Sequence, residues 1–270
     1  MLVVVAARAT EAASVARQLR VRGATERRHR AVGRGRVLLY GGPFDDGTAV
    51  QVAGDLRALG WPSDVRPEGG GHLAAWQAHT RPVVVGGRLW VCFPWSEFDR
   101  DVAGDVMEID PGRAFGTGAH PTTRLLLAEL GARLAGGESV LDVGCGSGVL
   151  AIAAAHLGAG EVTAVDTSPE ALAATRSNAA RNQVGERVAV SATPVAQLIA
   201  RFDVIVANVD AATLVQLAPA IQSCLAPNGW LGLSGLSPAQ LSVVAAAYSD
   251  VSVVARPCDD DWAALVATRN

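Results

Sequence analysis

A chain of 270 residues, half of them hydrophobic, has room for one large domain or for a mid-sized domain with a small companion. Its 23 cationic side chains are all arginine, which excludes chemistry that needs a Schiff-base lysine or the lysine of a phosphate-binding loop. The formal net charge of −3 is uneven, since residues 1–36 hold nine Arg and two Glu, a net of +7, and the remainder therefore carries −10.

In chain order, the first stretch reads β-α-β-β-α-β. Leu2–Ala7 is a strand, and Thr10 is placed to cap a helix that runs to about Arg22 with Ala13, Val15, Ala16 and Leu19 as its apolar stripe. Ala31–Gly33 and Arg36–Tyr40 are expected as strands around a Gly-rich turn. Thr48–Leu59 is a second helix and Ser63–Arg66 a fourth strand. That order suits a small ferredoxin-like α+β domain over residues 1–70, followed by a linker at Glu68-Gly-Gly-Gly71. Residues 71–110 join it to the rest. Within them Pro82–Pro94 reads as a hairpin turning at Gly86-Gly87, and Trp76, Trp90 and Trp95 read as packing anchors.

Residues 111–270 alternate strand and helix. The expected strands are Ser139–Val143, Glu161–Asp166, Arg187–Ala192, Phe202–Asn208 and Trp230–Ser234. The expected helices are Ser147–Leu157, Pro169–Asn182, Ala211–Leu225 and Ser237–Tyr248. Repeated β-α-β units imply a doubly wound, mostly parallel sheet. The closing strands Val251–Ala255 and Ala263–Thr268, joined by a short connection, must be antiparallel to each other. With them the sheet has seven strands and the ending of the class I methyltransferase variant. No apolar run approaches the roughly 18 residues of a membrane span, and the first residues turn amphipathic, so neither an anchor nor a leader is expected. Cys92, Cys145, Cys224 and Cys258 form no C-x-x-C pair, which fits reduced thiols in a cytoplasmic protein without a metal site.

Two glycine loops carry the chemistry. Asp142-Val-Gly-Cys-Gly-Ser-Gly148 joins a strand to a helix, where Gly144 and Gly146 let the backbone approach a ligand. The spacing is G-x-G-x-G, and Asp142 stands two residues before the first glycine. A carboxylate there repels a pyrophosphate and suits S-adenosyl-L-methionine (SAM), which bears a sulfonium and an amine. Asp166, 22 residues after Gly144 at the end of the next strand, is placed to accept the ribose hydroxyls. The earlier loop, Ala114 to Thr123, is expected to fold over the methionine side through Phe115, Gly116, Thr117 and Gly118. Thr123 supplies a hydroxyl, and the helix N-terminus at Thr122 and Thr123 can meet the carboxylate. His120 is either a proton shuttle or a brace for this loop. Asn208 and the Val209 carbonyl, at the carboxyl edge of the fourth strand, are the candidate catalytic groups that orient an acceptor amine. Asp210 either attracts a cationic amine or caps the helix at Ala211.

DPGRAFGTGAHPTT at Asp110–Thr123, LDVGCGSGVLAIAA at Leu141–Ala154 and VANV at Val206–Val209, with GRLWVC and LGLSGL, resemble the PrmA family of ribosomal protein L11 methyltransferases from about Trp76 to the C-terminus. The resemblance implies SAM contacts at Thr123, Gly144, Asp166 and Asn208, and a small N-terminal domain that recognises the protein substrate. It implies SAM-dependent N-methylation of amino groups, lysine side chain or N-terminal amine, on a large-subunit ribosomal protein. The alternatives are methylation of a small-molecule amine or of RNA, and a non-catalytic SAM-binding protein. The Arg-rich N-terminal region allows nucleic acid as a partner. No aromatic follows Asn208 to stack a base, which argues against one.

Overall fold

The computed structural model describes residues 2–24, 26–31, 36–42, 44–66, 82–85, 87, 89–94, 105–110, 116 and 118–269. It divides into two units, Met1–His79 and Thr80–Asn270.

In the first unit β1 (Leu2–Arg8), α1 (Ala12–Val21), β2 (Glu26–Ala31), β3 (Arg36–Gly42), α2 (Asp46–Ala58) and β4 (Ser63–Arg66) follow one another. The sheet order is β2-β3-β1-β4 and every pairing is antiparallel. Period-two alternation turns Val3, Val5, Ala7, Val37 and Leu39 into a core with Val15 and Leu19 of α1 and with Val52, Ala53 and Leu56 of α2. Thr10 does not cap α1. It lies in a single 3-10 turn, Ala9–Glu11, in which the Arg8 N–H donates to Glu11 Oε2 at 2.9 Å. Helix α2 begins two residues before Thr48 because the Asp45 carboxylate accepts the Thr48 N–H at 2.9 Å. The strand expected at Ala31–Gly33 is instead β2, ending at Ala31, and its run of charged residues hid an edge strand. The Gly-rich turn at 32–35, the linker at 68–71, Trp76 and Trp95 lie outside the described residues.

The second unit opens with β5 (Val83–Val85) and β6 (Leu89–Cys92), antiparallel around Gly87 at φ +69°. A strand that the sequence reading missed, β7 (Asp105–Glu108), pairs parallel to β6. The main sheet takes β8 (Ser139–Val143), β9 (Glu161–Val165), β10 (Val188–Ser191), β11 (Phe202–Asn208), β12 (Leu225–Leu236), β13 (Ser252–Ala255), β14 (Cys258–Asp259) and β15 (Trp262–Thr268). Its order is β10-β9-β8-β11-β12-β15-β13, with β14 paired to β15. Strands β8 to β12 are mutually parallel, and β15 runs antiparallel to both β12 and β13. The winding reverses between β8 and β11, which opens a crevice at their carboxyl ends.

Helices α3 (Pro121–Arg133), α4 (Val149–His156) and α5 (Pro169–Arg181) contribute to one buried cluster. Helices α6 (Ala211–Cys224) and α7 (Leu241–Ala247) contribute to a second. Val149 to Ala155 are all buried, as a helix that is apolar all round requires. α4 starts at Val149, later than Ser147, because Gly148 at its N-cap is left-handed at φ +82°. β12 starts five residues before Trp230, through Ala226-Pro-Asn-Gly229, which reads as a turn in sequence. Cys92, Cys145 and Cys224 are buried free thiols and Cys258 an exposed one. Among the described residues no acidic, His or Cys cluster fit for a metal occurs, and no helix is long and apolar enough to cross a membrane.

Candidate active site

The crevice holds a cleft of about 730 Å³. Its floor is the loop after β8. The N–H groups of Gly144 and Cys145 both donate to the Val165 carbonyl, at 2.8 and 3.0 Å, which draws the loop toward β9. Gly144 has φ +73°, and a Cβ there would lie 2.6 Å from Val209 Cγ1, so the position requires glycine on both counts. Asp166 lines the cleft half-buried at the end of β9. Its Oδ2 accepts the Gly146 N–H at 3.0 Å and its Oδ1 the Ser168 N–H at 2.9 Å, which fixes the carboxylate and leaves further lone pairs for a diol. Ser168, rather than Asp166, caps α5 by accepting the Ala171 N–H.

Asp142 stands elsewhere than the sequence implied. It is fully buried beneath the loop rather than on the cleft wall. Its Oδ2 accepts the Ala151 N–H at 3.1 Å, while Oδ1 has no partner. Burial pushes its pKa up to about 7, against the Ala151 hydrogen bond and with a smaller push from Asp166.

Gly116 lines the cleft at φ +98°, and its carbonyl accepts the Ser147 hydroxyl, so the two glycine loops are bonded to each other. Gly118, at φ +81°, is buried against Val91 and off the cleft. Phe115 and Thr117 lie outside the described residues. The N-terminus of α3 is already occupied. Thr122 N–H donates to His120 Nδ1 at 3.4 Å, and the Thr123 and Arg124 N–H groups donate to the His120 carbonyl at 3.0 Å each. A ligand carboxylate therefore does not meet those backbone groups, and what α3 offers the cleft is its side chains.

His120 is a brace. Its Nδ1 lies 2.8 Å from Thr122 Oγ1, and its ring meets Trp262 edge-on, with centroids 4.9 Å apart. Burial, helped by Arg124, lowers its pKa, so it is neutral near pH 7. Trp262 lines the cleft and was missed in sequence because nothing local to it signals a site. Arg124 ties that hairpin to α3 through Asp259.

Asn208 and Val209 both line the cleft, at the end of β11. Asn208 Nδ2 donates to Thr123 Oγ1 at 3.1 Å, which holds the amide across from α3 and leaves Oδ1 for a ligand. The Val209 backbone abuts Gly235, at φ +92°, where a Cβ would collide with its carbonyl oxygen. Asp210 caps α6, accepting from the Thr213 N–H at 3.0 Å and hydroxyl at 2.6 Å, and these bonds lower its pKa.

A sheet of this order, with a glycine loop after β8 and an acidic residue after β9, defines a class I methyltransferase fold. The crystal structure of ribosomal protein L11 methylase from Lactobacillus delbrueckii subsp. bulgaricus aligns with a TM-score of 0.65 at 31% identity, over 71% of this chain and 100% of that one. The family model described as ribosomal protein L11 methyltransferase (PrmA) matches residues 72–270, and the chain belongs to that family. The ribosomal protein L11 methyltransferase of Geobacter sp. (strain M21) is 45% identical over 196 residues, 70% of this chain and 64% of that relative. That of Shewanella amazonensis (strain ATCC BAA-1098 / SB2B) is 37% identical over 237 residues, 86% of this chain and 80% of the relative. The chain thus spans 64% of the length of the Geobacter protein it matches.

Proposed function

We propose that the cleft binds SAM and that the protein methylates amino nitrogens, a lysine side chain or N-terminal amine, of a large-subunit ribosomal protein of the L11 type. The cleft fits the cofactor: Asp166 presents a fixed carboxylate to the ribose, Gly144 and Gly146 permit close approach, and Gly116 faces them across the Ser147 bond. SAM supplies a methyl group already activated on a sulfonium. The chain's own task is then orientation and exclusion of water. The observation that carries the reading is Asn208, whose Nδ2 is committed to Thr123 and whose Oδ1 stays available at the switch point. Asn208 Oδ1 and the Val209 carbonyl accept the N–H bonds of the acceptor amine and aim its lone pair. A lysine amine, with a pKa near 10.4, must lose its proton before it reacts, and an α-amino group near 8 does so more readily. Asn208 orients the amine and is not itself a base, and the proton leaves to water.

In this reading the first unit, with its surplus of arginine, selects the acceptor, and a ribosomal-protein acceptor fits a reaction in the cytoplasm. The test is incubation with methyl-labelled SAM and ribosomal proteins from cells lacking this enzyme. Label on amino groups of one protein of L11 size supports the reading. Label in RNA, or in no macromolecule, overturns it.

A further inference from the structure

Helix α5 carries a buried polar face that packing alone does not account for. Thr175 and Asn178 are 0% and 1% exposed, on a helix whose other buried residues are Ala171, Leu172 and Ala179. Burying such groups is unfavourable unless each finds its partners. Here they do, and the partners are the second glycine loop and the segment that leads toward the first. Thr175 Oγ1 donates to the Gly146 carbonyl at 3.0 Å. Asn178 Nδ2 donates to the Ser147 carbonyl at 2.9 Å and to the Asp110 carbonyl at 2.8 Å, while its Oδ1 accepts the Asp110 N–H at 3.0 Å. One turn on, Asn182 Oδ1 accepts the Glu108 N–H and its Nδ2 donates to the Glu108 carbonyl, both at 2.7 Å. Four residues of helix rise about 6 Å, close to the roughly 6.6 Å of two strand residues. The two amides therefore pair with alternate residues of an extended segment as a neighbouring strand would. Asp110 lies six residues before Gly116, whose carbonyl is bonded to Ser147. Asn178 thus closes a circuit through Asp110, Ser147 and Gly116.

We propose that Thr175, Asn178 and Asn182 are positioning residues that hold the two glycine loops at the spacing the cofactor needs, and so set cofactor affinity. This rests on the SAM reading above. None of the three lines the cleft, so their effect falls on SAM binding and not on the methyl-transfer step.

The experiment is calorimetric titration of the full chain with SAM, alongside steady-state kinetics, for the parent, Asn178→Ala, Asn178→Leu and Asn182→Ala. Asn178→Ala is expected to raise Kd and KM for SAM about ten- to thirtyfold, with kcat at saturating SAM within about threefold, from the loss of its hydrogen bonds to Ser147 and Asp110. Asn182→Ala, which frees Glu108 and removes one bond to the Asn178 carbonyl but leaves Ser147 and Asp110 held, is expected to raise Kd about threefold. Asn178→Leu restores bulk without donors and is expected to bind as weakly as Asn178→Ala. Parental affinity in Asn178→Ala, or its recovery in Asn178→Leu, overturns the proposal. Should the Asn178 variants fail to fold by circular dichroism, Asn182→Ala carries the test and an unchanged Kd overturns it. A parent chain that does not bind SAM brings down the cofactor reading itself, a result distinct from equal binding by parent and variants.

Discussion

At the scale of single residues, the site depends on how few options each side chain has left. Asn208 gives an amide N–H to Thr123, and in the proposed reaction its oxygen meets the acceptor. Asn208→Ala is expected to lower kcat by about one to three orders of magnitude, as loss of an orienting polar group does. Single-turnover kinetics checks this, and near-normal turnover would remove Asn208 from the mechanism. Asp142 makes a different prediction. Its folded pKa of about 7 lies above the ordinary 3.8 of an aspartate, so the ligand-free folded chain keeps a proton that the unfolded chain releases. Its contribution to stability is therefore complete below about pH 4, declines as pH rises, and levels off above about pH 7. Asn at this position has no such proton. The melting temperature of Asp142→Asn relative to the parent should rise across that window, and a pH-independent difference would contradict the burial argument. Asp166, Gly144 and Asn208 were legible in sequence because each sits at a strand's carboxyl end, where spacing alone places it. Thr175 and Asn178 were not, since polar residues on a helix read as solvated and the Asn178 partner at Asp110 is 68 residues away.

At the scale of elements, glycine positions decide where chain segments can approach. Gly144→Ala combines a left-handed backbone at φ +73° with a contact of 2.6 Å to Val209 Cγ1. It is expected to cost about 1–3 kcal/mol of stability and to weaken SAM binding at least tenfold, as thermal melting and titration would read. A variant with the parent's melting temperature and affinity would show that the loop relaxes freely. Strands β8, β9 and β11 were legible because each is short, mostly apolar and rich in β-branched residues, as buried strands of a parallel sheet are. Edge strand β2 and short β7 carry Arg or acidic residues and show no such run. The start of β12 was hidden by Pro227 and by Asn228, which takes φ +62° inside the strand. In both misplaced helix starts of the first unit a carboxylate made the difference: Asp45 moved α2 earlier, and Glu11 completed a turn ahead of α1.

At the scale of the whole molecule, the closing hairpin fixed the class. The antiparallel β15, inserted between β12 and β13, separates this sheet from the dinucleotide-binding arrangement, in which the strands continue parallel. The family match spans residues 72–270, which include the residues that line the cleft. The most direct measurement is therefore calorimetric titration of the full chain with SAM, with S-adenosylhomocysteine and with a nicotinamide dinucleotide. The account predicts saturable heat at one site per chain for the first two and none for the third. Tight dinucleotide binding with no response to either sulfur nucleoside would contradict it.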